Sequence, residues 1–118
     1  MKELAVKAVY YADSFNDFEL SNLTDGKFDN VGATAYRSFR LLLDIGQTDE
    51  DWTEHFSVVV CTPDNRPRNN PKGRFLLVRN YHNSTVTSGL MQTVKSCERD
   101  TWENCLSALR KRFRWEYD

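Results

Sequence analysis

Between Leu4 and Tyr10 apolar and polar residues trade places at every step. Leu4, Val6, Ala8 and Tyr10 make one face, and Ala5, Lys7 and Val9 make the other. A period of two is the signature of a strand. The alternation returns over residues 35–46, with Arg37, Phe39, Leu41, Leu43 and Ile45 on one side and Tyr36, Arg40, Leu42 and Asp44 on the other. Gly46 and the polar run Gln47 to Asp51 close that strand. A third strand is predicted over 54–62, where Phe56, Val58 and Val60 oppose Val59 and Cys61. A fourth is predicted over 74–81, where Phe75-Leu76-Leu77-Val78 calls for burial on both faces.

Two polar stretches interrupt this pattern. Residues 13–32 are rich in Asp, Asn, Ser and Gly and read as a long loop, with Phe15, Phe18, Leu20, Leu23 and Phe28 scattered through it. Residues 63–73 contain all three prolines of the chain, Pro63, Pro67 and Pro71, among basic turn formers. They also read as a loop. The third and fourth strands are expected to pair antiparallel across it as a long hairpin.

The period then changes. Val86, Leu90, Met91, Val94 and Cys97 recur at helical spacing, with Ser84 as the expected N-cap. Gly89, inside this helix, costs about 1 kcal/mol relative to Ala. A second helix is expected to begin at Asp100, which stands three residues before Glu103 in the spacing of a capping box. Its apolar stripe is Trp102, Cys105, Leu106, Leu109 and Phe113, and Arg110, Lys111, Arg112 and Arg114 gather where the helix dipole favours positive charge. Strands first and helices last predict an α+β fold: an antiparallel sheet of about four strands with two C-terminal helices packed on one face. At 118 residues, with 40% apolar and 28% charged side chains, the chain suits one globular domain over 1–118, since two separate cores would be too small.

Charge adds an asymmetry. The net charge is −1, which supplies no global field for nucleic acid or a membrane surface. Residues 1–60 nevertheless carry five Lys/Arg against eleven Asp/Glu, and residues 61–118 carry eleven against six. Either folding mixes the halves, or the first half contributes an acidic face. The odd cysteine count (Cys61, Cys97 and Cys105) does not match a disulfide framework. With no apolar leader after Met1 and no run long enough to span a bilayer, a cytoplasmic location is expected.

Candidate chemistry is sparse. Two histidines, His55 and His82, and three isolated cysteines leave no zinc-binding spacing, and neither phosphate-loop motif occurs. No metal or cofactor is expected. His55 and Cys61 lie six positions apart on one predicted strand, about 20 Å at strand rise, and cannot pair. Cys97 and Cys105 fall on helical core stripes and read as small hydrophobes. The densest feature is acidic: Asp49, Glu50, Asp51 and Glu54 enclose Trp52. Four acids so close repel one another when buried, so they are expected at the surface, where they form a solvated turn or meet a basic partner. An aromatic in such a turn either plugs the core or anchors an interface; the core is the plainer expectation for Trp52.

Several segments taken in order resemble the immunity protein 8 family of bacterial polymorphic toxin systems. They are Leu41 to Gly46, Phe56-Ser57-Val58-Val59-Val60-Cys61-Thr62-Pro63, Phe75-Leu76-Leu77-Val78 with Tyr81, Thr101-Trp102-Glu103, and Arg114-Trp115-Glu116-Tyr117. The resemblance covers Phe39 to Asp118. After Thr62-Pro63 the chain has Asp64-Asn65 where the family pattern has a Trp-Leu-like pair, and residues 1–34 show no counterpart. The resemblance implies a non-enzymatic protein that binds the C-terminal domain of a cognate toxin, often a nuclease delivered by contact-dependent inhibition or a related system. A nuclease cleft is usually basic, so acidic groups with aromatic anchors suit its inhibitor. The expected toxin-binding residues are Asp13, Asp17, Glu19, Asp44, Asp49, Glu50, Asp51, Trp52 and Glu54. Two other readings compete: a structural or adaptor domain, and a small enzyme built on Cys61, His82 and a carboxylate.

Overall fold

The computed structural model describes residues 1–12, 20–22, 38–65 and 74–118. Alternating apolar residues build the two long central strands, β1 (Leu4–Ala12) and, after the short β2 (Leu20–Asn22), β3 (Phe39–Gln47). They are followed by β4 (Glu54–Cys61) and a single 3-10 turn at Pro63–Asn65. Next come the short β5 (Phe75–Leu77), helices α1 (Asn83–Lys95) and α2 (Trp102–Arg112), and a two-residue β6 (Arg114–Trp115). The sheet order is β2-β1-β3-β4-β5, with β6 also paired to β4.

The α+β class and the two helices after the sheet agree with the sequence, and three features of the sheet do not. First, β5 runs parallel to β4, with Val59, Val60 and Cys61 opposite Phe75, Leu76 and Leu77. The expected long hairpin is therefore a crossover, and parallel neighbours need a connection of a dozen residues or so, which is the length available here. Second, β5 is only three residues long and buries one face: Leu76 is buried while Leu77 is 52% exposed. Third, the outer edge of β4 is divided. β5 takes its C-terminal half, and β6 takes Phe56 and Ser57 in antiparallel register. Within the stretch expected as loop, Leu20–Asn22 pairs with β1 as a strand; residues 13–19 and 23–37 lie outside the described residues.

A β-bulge in β1 redirects one cation. Val6 stands opposite Ile45, but the next pair is Ala8 with Asp44, which leaves Lys7 as the extra residue. The strand changes phase there. Leu4 is buried before the bulge and Val9 after it, so the face expected to join Leu4, Val6, Ala8 and Tyr10 is broken at Lys7. Lys7 is exposed, and its Nζ donates to the backbone carbonyl of Glu50 in the β3–β4 turn.

The helices cover the face that presents Phe39, Leu41, Leu43 and Ile45 of β3 and Phe56, Val58 and Val60 of β4. Against it lie Val86, Leu90, Val94 and Cys97 of α1 and its end, and Cys105, Leu109 and Phe113 from α2 and its C-cap. Met91, expected on that stripe, is instead exposed. Burying a Leu or Phe side chain stabilises by about 1.5–3 kcal/mol, so this layer supplies the main driving force for folding.

Both helix starts differ from expectation by one or two residues. α1 is preceded by His82, whose carbonyl accepts from Val86 N–H, and Ser84 lies inside the first turn. At α2 the cap is Thr101, whose hydroxyl accepts from Asn104 N–H at 3.2 Å. Asp100 stands just outside, while Glu103 still places a carboxylate at the positive end of the helix. The α1–α2 connection is sewn to the first strand: Lys2 N–H donates to the Arg99 carbonyl at 2.7 Å and Leu4 N–H to the Glu98 carboxylate at 2.8 Å. Cys105 Sγ accepts from Arg99 N–H at 3.2 Å and so pins the same loop from below.

Candidate interaction surface

One end of the sheet gathers the β3–β4 turn, the start of β1, the α1–α2 connection and the first turn of α2. Gly46 sets the turn. A Cβ there would meet the Trp52 carbonyl oxygen at 2.5 Å, so only glycine lets the two strands approach this closely. β3 continues through Gly46 to Gln47 rather than stopping at it. Three hydrogen bonds then hold the turn: Thr48 N–H to the Glu3 carbonyl at 3.0 Å, Glu50 N–H to the Gln47 carbonyl at 3.2 Å, and Lys7 Nζ to the Glu50 carbonyl. Asp49, Glu50 and Asp51 are all exposed on this braced turn. Among the described residues no basic side chain forms an ion pair with any of the three.

Trp52 is not a core plug. It is 40% exposed and meets Trp102 edge to face, ring centroids 4.8 Å apart. Such pairs are worth about 0.5–1.5 kcal/mol beyond the area they bury. Two residues on, the Glu54 carboxylate accepts from Trp115 Nε1 at 3.1 Å. Trp115 in turn meets Tyr117 edge to face at 4.9 Å and carries the Arg110 guanidinium over its ring at 5.0 Å. Arg110 donates to Asp118 through both Nε (3.0 Å) and Nη2 (2.5 Å), and Trp115 and Asp118 bond to each other through backbone and side chain. This guanidinium holds the Asp118 carboxyl below the usual carboxylate range.

Asp44 belongs to a different face. It pairs across the strands with His55 on the side of the sheet away from the helices, and its Oδ1 lies 2.6 Å from His55 Nδ1. That hydrogen bond raises the His55 pKa above its ordinary value, helped by the negative charges of Asp44, Glu116 and Glu54 and opposed by partial burial. The expected binding residues thus divide. Asp49, Glu50, Asp51 and Trp52 share one exposed turn, Glu54 bonds the Trp115–Tyr117 cluster, and Asp44 faces the other way. Asp13, Asp17 and Glu19 lie outside the described residues.

Sequence reasoning passed over Trp102, Trp115 and Tyr117. A signal was present: the chain's three tryptophans each stand next to a carboxylate, in Asp51-Trp52, Trp102-Glu103 and Trp115-Glu116. Among the described residues no basic side chain of the second half forms an ion pair with the Asp49–Asp51 turn. Arg99, in the α1–α2 connection, spends its Nη1 on the Ser96 and Glu98 carbonyls, each at 2.8 Å. Asp100 and Glu103, both exposed, add to the acidic side.

Among the described residues no nucleophilic site is assembled from Cys61 and His82. Cys61 has no exposed surface, so a substrate cannot reach its sulfur, while His82 is exposed at the head of α1. Cys97 is also buried, and burial pushes its thiol pKa up, away from the reactive thiolate. Among the described residues no group of three or more His, Cys, Asp or Glu could hold a metal ion, and no helix is long and apolar enough to cross a membrane.

Against this geometry stands one match: the family model for immunity protein 8 aligns with residues 15–118. The chain belongs to the immunity protein 8 family. The match begins well before Phe39, so residues counted as having no counterpart, from 15 to 34, are part of the family domain. No curated protein and no solved structure matches the chain. Immunity protein 8 members are non-enzymatic inhibitors, and membership implies a cognate toxin.

Proposed function

We propose that this immunity protein neutralises its toxin by covering a basic surface with the β3–β4 turn. The toxin is the C-terminal domain of a larger polymorphic effector, and a nuclease delivered by contact-dependent inhibition or a related system is the kind this surface suits. Inhibition takes place in the cytoplasm of the protected cell, before the toxin reaches nucleic acid. The observation that carries the reading is the exposed triplet Asp49, Glu50 and Asp51 on a turn held by three hydrogen bonds beside Trp52. A nuclease groove holds phosphates with Lys and Arg; carboxylates on a preorganised turn engage the same cations without paying to order a loop.

Charge reversal tests it. The triple variant Asp49→Lys, Glu50→Lys, Asp51→Lys is expected to fold normally, because all three side chains are exposed. It is expected to bind a cognate toxin domain about 100-fold more weakly or worse, and to stop rescuing growth when that toxin is co-expressed. Affinity unchanged by the triple reversal, measured by calorimetry, would remove this turn from the interface.

A further inference from the structure

Two aromatic clusters lie along α2. Trp102, at its first residue, meets Trp52; Arg110, eight residues on and so about 12 Å along the axis, sits over Trp115. Leu106, half-buried on the same side of the helix, lies between them, and Glu54, two residues after Trp52 in the chain, bonds Trp115 from the strand side. The outermost rings, Trp52 at 40% and Tyr117 at 71% exposure, mark the two ends. All three tryptophans of the chain therefore belong to one strip.

Two observations say what such a strip receives. The first is an internal example of its chemistry: the Arg110 guanidinium lies over the Trp115 ring while Asp118 takes its N–H groups. A ring beside a carboxylate holds a cationic side chain by its face and by its edge together. At the Trp52 end no cation covers the ring among the described residues, and the preceding residue in the chain, Asp51, is an exposed carboxylate with no ion pair among them. The second is order. The turn that carries Tyr117 is closed by the Asp118 N–H to Trp115 carbonyl bond at 3.0 Å and by the Arg110–Asp118 pair, so the ring is offered at little further entropic cost.

We infer that the Trp52–Trp102–Trp115–Tyr117 strip is the affinity anchor of this immunity protein, and that it receives Arg or Lys side chains of the toxin domain, stacked on the exposed rings and paired with the flanking carboxylates. The inference rests on the proposed toxin-neutralising role. In it the aromatic groups supply the close contacts, and the Asp49–Asp51 triplet supplies the charge that draws the toxin in and that, when reversed, repels it.

The probe is a purified toxin domain whose growth inhibition this chain relieves on co-expression. Trp52→Ala and Tyr117→Ala are each expected to weaken its binding about tenfold or more. Trp52→Phe and Tyr117→Phe, which keep a ring, are expected to stay within a few-fold of wild type. Thermal melting serves as the folding control; should Trp52→Ala melt early, Tyr117→Ala, in which an exposed side chain is lost, decides alone. Complex formation is also expected to shift indole emission and protect it from acrylamide quenching. Wild-type affinity in both alanine variants would overturn the anchor while leaving the neutralising role intact. If the chain relieves no toxin, the neutralising role falls and the anchor with it.

Discussion

His55 is the side chain whose behaviour its neighbours most clearly dictate. Its ring bonds the Asp44 carboxylate at 2.6 Å, and Glu116 and Glu54 add negative potential. Folding therefore raises its pKa above the value near 6.5 that it has in an unfolded chain. The pair contributes stability in full below that unfolded value and loses it as pH climbs through the folded one. With the imidazole largely exposed, solvent screens the effect and it stays small. Titration followed by NMR is expected to place the His55 midpoint above 6.5, and Asp44→Asn to bring it back down; a midpoint indifferent to that substitution would show that the pair does not form in solution. The sequence exposes Asp44 and His55 as polar members of alternating strands, but not as partners. Their meeting depends on register, which the length and geometry of the intervening turn decide. Trp52 was misjudged for a related reason: whether an aromatic beside a turn points in or out depends on what packs there, and here it is Trp102, fifty residues further on.

Among the elements, the β3–β4 hairpin has the strictest local requirement. Gly46→Ala drives a methyl group against the Trp52 carbonyl, a backbone atom that cannot swing aside. The substitution is expected to destabilise the protein by about 1–3 kcal/mol, as overpacking generally does, and to shift the emission of Trp52; a melting curve that matches wild type would show that the hairpin has slack. The long elements were legible because their periods repeat. β3, β4 and both helices fall within a few residues of where apolar spacing puts them. The rest was hidden for definable reasons. Alternation carries no arrow, so Phe75-Leu76-Leu77 reads the same whether it runs with β4 or against it. A bulge adds one residue without altering composition, and Lys7 sits in an otherwise regular pattern. β6 has two residues, too few for any period. Thr101 and Asp100 are both acceptable caps, and the choice between them falls to the loop that Lys2, Leu4 and Cys105 hold in place.

For the whole molecule the net charge is near neutral, and among the described residues the acidic and basic side chains are unevenly placed. At the hairpin end the exposed triplet Asp49–Asp51 precedes Trp52, which meets Trp102 at the start of α2 next to the exposed Glu103, while Lys111 and Arg112 in the last turn of α2 and Arg114 just after it are exposed at the other end. Fields of this kind act on encounter rates more than on lifetimes. Raising ionic strength from about 0.05 to 0.5 M is expected to slow association with a toxin domain about tenfold or more while changing dissociation little. Stopped-flow traces would show it, and an association rate insensitive to salt would mean that the acidic end does not lead the approach. The family resemblance was readable from ordered core segments, and those segments govern how the chain folds. The proposed recognition surface was only half readable, since a patch drawn from a turn, a helix start and the short β6 exists only once the chain has folded.

The divided edge of β4 bears on synthesis. Its C-terminal half waits only for residues 75–77, but Phe56 and Ser57 wait for residues 114 and 115. At roughly 5–20 residues per second, translation takes about 3–11 seconds to reach Arg114 from its partner Ser57. For that interval the nascent chain carries a bare apolar strand margin, the kind that recruits neighbouring polypeptides on a polysome. The segment that closes it is thus made long after the strand it covers.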